Sequence, residues 1–274
     1  LIAPLKSQMN TAHALHSFNR EMTNWSLIKH RNWDGYLVTG QHSGTHWIKW
    51  MLSWAMAHHY GVEGPKFYNN NDSNAVIGNP KHRLNLPGVP RIASSHSIPA
   101  YAVEWPLIRA LAPLPKYGVV VRDMRDVLIS NFEKWKDKYA VPFETYVAGD
   151  PWDKAYVVDV WWYIRFMNRW GSVQEHYPAE TLVLKYEDFR RDTAGELDRL
   201  ARHLGVILPA DAIEKGVVAG FKENMLAFHN PNATGKGVRP DGVGDTVWTA
   251  EADAVLKPIL REHLKYDFGY DFGL

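Results

Sequence analysis

A fold of the α/β class, with a central parallel β-sheet flanked by helices, is predicted for this 274-residue chain by three observations. Short runs rich in β-branched and aromatic residues recur at 36–39, 91–94, 117–121 and 181–184, each followed by helix-like sequence. That alternation builds parallel strands joined by helical crossovers. The runs are also almost continuously apolar rather than alternating, the pattern of strands covered on both faces. No internal repeat, low-complexity tract or Ser/Gly linker interrupts the chain, so 1–274 is expected to be one domain.

The first strand leads into a helix at 45–60, whose apolar face runs through Trp47, Ile48, Met51, Leu52, Ala55 and Met56 and which stops at Gly61. Behind the third strand a helix is expected at 124–136. A long helix over 152–175 comes next, with Asp150 as N-cap and Pro151 at its first position. After the fourth strand helices are expected at 193–204 and 209–219, and Thr249 caps a last one at 250–264. Two stretches read as irregular, 66–90 with its Asn, Pro and Gly and 230–245 with its Gly. Long loops inside a compact domain usually carry function.

Composition narrows the function. With 31 basic and 30 acidic side chains the net charge is +1, which lacks the global footprint of a dedicated nucleic-acid binder and leaves any anionic ligand to a local pocket. The chain has no cysteine, which excludes disulfides, thiolate metal sites and a cysteine nucleophile. No histidine pair shows HExxH or another metal-ligand spacing, so no metal is expected. The longest apolar stretches, 47–57 and 157–167, are broken by Lys49, Asp159 and Arg165 and fall short of a membrane span. Absence of cysteine fits a reducing compartment, and a cytoplasmic location is expected.

The segment Y-L-V-T-G-Q-H-S-G-T-H-W at 36–47 runs from a strand through a Gly- and Ser-containing turn into a helix. Such a turn aims backbone N–H groups at one point beside the positive end of a helix dipole, ready for an anion. It is not a Walker A loop, because Thr45 rather than lysine follows Gly44. Taken alone, Gly40 and Gly44 fit a tight strand-to-helix turn without a ligand equally well.

Four segments together resemble one family. Q-H-S-G-T-H-W at 41–47 resembles P-K-S-G-T-T-W, the 5′-phosphosulfate loop of sulfotransferases that use 3′-phosphoadenosine 5′-phosphosulfate (PAPS). V-V-V-R-D-M-R-D-V-L-I-S at 119–130 is similar to V-V-R-N-x-[RK]-D-V-x-x-S, and L-K-Y-E-D-F-R-R-D at 184–192 to Y-E-D-L-x-x-[DN]-P. Lys236-Gly237 with Gly244-Asp245 resembles the R-K-G…G-D-W region. Order and spacing agree across about 210 residues. The resemblance implies a P-loop-like sulfotransferase fold, PAPS as donor, 3′,5′-adenosine bisphosphate (PAP) as product and no metal. It further implies in-line transfer of a sulfuryl group to a hydroxyl or amine of a small-molecule acceptor.

Under that resemblance His42, Ser43, Gly44, Thr45, His46 and Trp47 hold the 5′ end of the nucleotide. Arg122 ends a strand and Ser130 lies eight residues on, about two helical turns, so both reach one point above the sheet edge. A forked charged donor and a hydroxyl there suit the 3′-phosphate; without the resemblance, the pair fits a surface ion pair and a solvated serine. Lys236 and the backbone at Gly237 would close over the same phosphate, with Arg239 standing in for a family arginine that is Gly235 here. Trp47, Tyr186 and Phe221 are placed around the adenine. His96, at the end of the second strand, matches the family's K-T-H and takes the acceptor's proton.

Two family lysines are missing, because positions 42 and 94 hold His42 and Ser94. A protonated His42 beside the phosphates is expected to serve in place of the first. The acceptor is expected between the sheet edge and the segments 66–90 and 139–156, with Tyr68, Phe143 and Trp152 as an apolar slot and Asn69, Asn70, Asn71 and Asp72 as polar partners; its identity is not fixed by fold or donor. Two rivals stay open: a catalytically silent PAP- or PAPS-binding protein, and a P-loop nucleotide kinase. No oligomer is implied, since the family's short C-terminal dimer motif is not recognisable at 246–253.

Overall fold

Four parallel strands, β1 (Gly35–Thr39), β2 (Ile92–Ser95), β3 (Lys116–Val121) and β4 (Thr181–Lys185), form one sheet in the order β2-β1-β3-β4. The computed structural model describes residues 3–24, 26–81, 86–152, 154–229 and 245–274. Helices α1 (Ala3–Met22) and α2 (Ser26–His30) precede β1, and α3 (Thr45–Tyr60) and α4 (Asn70–Ser73) lead from β1 to β2. A 3-10 turn (Tyr101–Glu104) and α5 (Pro106–Leu111) connect β2 to β3; α6 (Met124–Tyr139), α7 (Phe143–Ala148) and α8 (Val160–His176) connect β3 to β4. Behind β4 come α9 (Tyr186–Arg191), α10 (Thr193–His203), α11 (Ala210–Ala219), α12 (Lys222–Ala227) and α13 (Ala250–His263). The expected α/β class is present, and each expected strand lies within a residue of its place.

Alternation along the strands assigns the two faces. Tyr36, Val38, Tyr117, Val119 and Val121 enter an apolar layer with residues of α6, α8 and α13, while Leu37, Ile92, Val120 and Leu184 enter another with α3, α10 and α11. Because both faces are covered there, the central strands β1 and β3 are buried and apolar over most of their length. The chain leaves β1 toward β2 on one side and returns to β3 on the other. That reversal opens a crevice at the carboxyl ends of β1 and β3, where open α/β sheets take their ligands. The β1–α3 loop, Arg122 and His96 all emerge at this end.

Helix α3 matches its expected bounds and stops at Gly61, whose φ of 64° and N–H bond to the Ala57 carbonyl end it in a left-handed turn. The long helix differs. It opens at Val160, where Asp159 accepts the Trp162 N–H at 3.0 Å. Asp150 instead accepts the N–H groups of Trp152, Lys154 and Ala155 in a turn of its own, at 2.9, 2.8 and 3.0 Å. Its own N–H goes to Asp159 at 2.7 Å, so the two aspartates brace one connection. Helix α1, with no counterpart in the sequence reading, is joined to α8 by the buried Glu21–Arg165 ion pair at 2.9 Å. No helix among the described residues is long and apolar enough to cross a membrane.

Candidate functional site

The β1–α3 loop begins tied to the sheet: the Gly40 N–H donates to the Val120 carbonyl at 2.8 Å. His42 and Gly44 both adopt left-handed backbone, with φ of 60° and 79°. Gly44 is needed twice over, because a Cβ there would also lie 2.5 Å from the Tyr186 ring. Helix α3 starts directly behind it with no side-chain cap, so its first N–H groups and positive dipole end are left for an anion.

Side chains from α6 and α8 hold this loop. Ser43 is fully buried, and its Oγ lies 2.8 Å from the Tyr163 hydroxyl. The same hydroxyl accepts the Arg122 N–H at 3.1 Å. Tyr163 therefore pins the loop to the end of β3. Replacing it with phenylalanine removes both bonds inside a dry core and is expected to lower unfolding free energy by about 1–3 kcal/mol, read by urea denaturation. An unchanged midpoint would show that the hydroxyl holds nothing.

Asn131 fixes His42. Its Nδ2 is committed to the Val158 carbonyl and the Tyr139 and Tyr146 hydroxyls, at 2.8, 3.1 and 2.8 Å. Its Oδ1 must then accept from His42 Nε2, at 3.0 Å. Ser130 Oγ lies 3.2 Å from the other ring nitrogen, Nδ1. The structure thus joins His42 and Ser130, which the sequence assigned to opposite phosphates, in one polar unit.

Arg122 leaves β3 just before α6, whose N-cap Asp123 accepts the Arg125 N–H at 2.9 Å. Its guanidinium donates to the His42 carbonyl and to Asp126, each at 3.0 Å, and lies 4.8 Å from the Tyr186 ring centroid. Its Nε is buried without a hydrogen-bond partner among the described residues. Tyr186 opens α9 right after β4, where Glu187 accepts from the Asp123 N–H at 3.2 Å and the Tyr270 hydroxyl at 2.6 Å. Trp47 meets Tyr186 edge to face at 5.9 Å, and its indole N–H donates to the Gly220 carbonyl at 2.9 Å. Phe221, the next residue, is exposed. Trp47, Tyr186 and Phe221 are thus brought to one side of the crevice. Lys236, Gly237 and Arg239 lie outside the described residues.

At the end of β2, His96 Nδ1 is 2.8 Å from the Thr39 carbonyl, to which it donates. The Thr39 hydroxyl bridges it, at 3.2 Å, to the Thr45 hydroxyl, at 2.6 Å. That bond fixes the tautomer and leaves Nε2 as the basic nitrogen. Burial draws the His96 pKa below its ordinary value, opposed by the Thr39 carbonyl and helped by Lys134 and Lys49. His46, in the first turn of α3, keeps an exposed surface although protein surrounds much of its ring. Burial first, then His96, Lys49 and Lys134, lower its pKa to about 4. Among the described residues, no group of three His, Asp or Glu side chains is placed to hold a metal ion.

The family described as "Sulfotransferase domain" matches residues 34–235 of the sequence. The chain belongs to the sulfotransferase family. A curated relative, Sulfotransferase 2A6 of Rattus norvegicus, is 27% identical over 153 residues, 52% of this chain and 49% of that protein, so the match spans about half its length. Among solved structures, mouse sulfotransferase SULT7A1 complexed with PAP aligns with a TM-score of 0.53 at 15% identity, covering 93% of each chain. Retinol dehydratase in complex with androsterone and inactive cofactor PAP aligns at 0.52 and 16%, covering 86% of this chain and 82% of that one. Both share the sulfotransferase fold.

Against the sulfotransferase motifs, the three aromatics expected to line an acceptor slot are otherwise engaged. Tyr68 packs on buried Trp50 at 5.4 Å, Phe143 sits in the main core against Phe132, and Trp152 contacts His13 and His16 of α1. Asn69 and Asp72 bond to each other; the side chains of Asn70 and Asn71 lie outside the described set. Tyr163, Asn131 and Thr39 were missed because each reads as ordinary helix or strand core; only the fold brings them to the loop.

Proposed function

We propose that the chain, acting as one domain over 1–274, is a sulfotransferase with PAPS as donor, a hydroxyl or amine of a small molecule as acceptor, and His96 as base. The observation that carries the reading is the Thr39–His96 bond, which leaves Nε2 as a lone-pair nitrogen beside the uncapped start of α3. The residues present fit the donor. Arg122 keeps a buried Nε donor in reserve, the uncapped start of α3 leaves its N–H groups to an anion, and Trp47, Tyr186 and Phe221 offer apolar faces for a base. The solved relatives' complexes with PAP support the same donor, and androsterone on one of them supports a small-molecule acceptor.

When bound, PAPS would supply the sulfuryl group for in-line transfer to the acceptor oxygen or nitrogen, with its 5′-phosphate as the leaving group. His96 Nε2 takes the acceptor's proton, and the N–H groups opening α3 stabilise the charge left on the departing phosphate. Arg122 and Ser130 hold the 3′-phosphate; His42, its Nε2 committed to Asn131, presents Nδ1 to the same region. A cytoplasmic location goes with this reading. The silent-binder reading draws on the same observation, since both His42 nitrogens are engaged.

Calorimetric titration with PAP, beside 5′-AMP and ATP, with and without magnesium, tests the donor class. Magnesium-independent binding that favours PAP by at least tenfold over 5′-AMP is expected. A preference for magnesium–ATP would replace the reading with a kinase. PAP binding without PAPS turnover across phenols, alcohols and amines would leave the silent binder.

A further inference from the structure

Asn131 is the fixed point of the loop site. It is fully buried in α6, and its Nδ2 lies 2.8 Å from the Val158 carbonyl, an oxygen that can only accept. Turning the amide over would set two acceptors against each other, so Oδ1 is the atom that faces His42. That oxygen also can only accept, and His42 Nε2 therefore carries a hydrogen in every charge state of the ring. Tyr146 braces the arrangement, accepting from Asn131 Nδ2 while its own hydroxyl donates to the Val158 carbonyl at 3.0 Å.

The consequence falls on Ser130, the residue before Asn131 in α6. A neutral ring whose one hydrogen sits on Nε2 has a lone pair at Nδ1, so the 3.2 Å contact there is made by the hydroxyl hydrogen of Ser130. In that state Ser130 turns an oxygen lone pair toward an arriving phosphate, and the two repel. A proton on Nδ1 reverses the contact: Nδ1–H donates to Oγ, and the hydroxyl hydrogen swings to the phosphate as a donor. The charge on the ring thus decides which way one serine hydroxyl points.

We propose that Asn131 is a positioning residue for donor selection: by holding a hydrogen on His42 Nε2 it makes Nδ1 the one site where the ring gains a proton, and so ties Ser130's hold on a 3′-phosphate to the charge of His42. The proposal rests on the sulfotransferase reading above. The proton comes from solvent as the nucleotide binds and stays on Nδ1; no covalent bond to carbon, phosphorus or sulfur changes. A bound phosphate favours the charged ring, so His42 keeps its proton to higher pH in the complex than in the free protein. The gain in affinity is full where the free ring is already charged, and it is lost as pH rises through the titration of the bound ring. The groups around this unit are Arg122, which donates to the His42 carbonyl, with its partner Asp126; Lys134 of α6; His46 of α3; Asp159 and Tyr163 of the α8 start; and Tyr139 and Tyr146 behind Asn131.

Two readouts test this without turnover. The first is the ring's 15N spectrum in the free protein, with the His42 signals identified by their loss in His42→Gln. Neutral His42 is expected as the Nε2–H form in wild type and as a mixture of both forms in Asn131→Leu. The second is calorimetric titration of PAP and 5′-AMP between about pH 7.5 and 9, where the phosphates have already lost their second proton. Over that range the wild-type preference for PAP is expected to fall at least about fivefold, with PAP taking up as much as about one proton more than 5′-AMP. In His42→Gln and Asn131→Leu the preference changes less than about twofold, because the ring is absent in one and free to place its hydrogen on Nδ1 in the other. A neutral wild-type ring in the Nδ1–H form overturns the proposal, as does a flat wild-type preference or a wild-type slope in Asn131→Leu. Lower melting of Asn131→Leu with equal loss of both nucleotides also overturns it, marking Asn131 as a support for the core. The wild-type spectrum and the wild-type and His42→Gln slopes decide the matter even where the leucine variant fails to fold. A wild type that binds no PAP at any pH overturns the sulfotransferase reading itself, which separates the two failures.

Discussion

Replacing His96 with asparagine is expected to lower kcat by about two to four orders of magnitude while leaving PAP affinity within about threefold. Asparagine can still donate to the Thr39 carbonyl, so the end of β2 keeps its anchor, but no basic nitrogen remains to take the acceptor's proton. The wild-type pH profile carries the sign. The base works neutral, and burial holds the His96 pKa below that of an ordinary histidine, so kcat/KM falls only when pH drops beneath the usual histidine range. In the asparagine variant that acidic limb disappears. A variant retaining wild-type kcat would remove His96 from the chemistry and move attention to His46 at the rim.

Arg122→Ala is expected to weaken PAP binding about 100-fold and to leave 5′-AMP nearly untouched, measured by calorimetry on both ligands. The loss corresponds to about 2–3 kcal/mol, the worth of a charged donor on a phosphate. The comparison with 5′-AMP matters because Arg122 also donates to the His42 carbonyl and could loosen the loop when removed. Equal loss for both nucleotides would assign Arg122 to the loop and leave the 3′-phosphate to Ser130 and the segment 230–244.

The sequence made the sheet legible because the central strands β1 and β3 are apolar on both faces and every strand is followed by helical sequence. The start of α8 was not legible. Asp150-Pro151 and Asp159 both offer local caps, and the choice falls to Asp159, where the intervening turn puts the Val158 carbonyl against Asn131. Motif spacing brought out the residues of the loop, Arg122, Tyr186 and His96, which sit at element boundaries, and Ser130 inside α6 through its spacing from Arg122. Tyr163 and Asn131 lie inside helices, where periodicity reports only which side is covered. Their loop partners Ser43 and His42 are 120 and 89 residues away, and such contacts leave no trace in a local window. Tyr68 and Phe143 show the opposite error, aromatic residues near a loop that the core claims first, while Trp152 stays exposed against α1.

The tie between Gly40 and Val120 gives the site a scale. Hydrogen-bonded strands stand about 4.8 Å apart, and the two ends proposed to hold phosphates belong to β1 and β3, which are such neighbours. Their separation is therefore set by the ladder of the sheet and not by loops that settle after binding. Under the proposed donor reading the sheet works as a ruler for the span between two phosphates on one ribose, and a nucleotide carrying the second phosphate on the neighbouring hydroxyl is expected to bind less well.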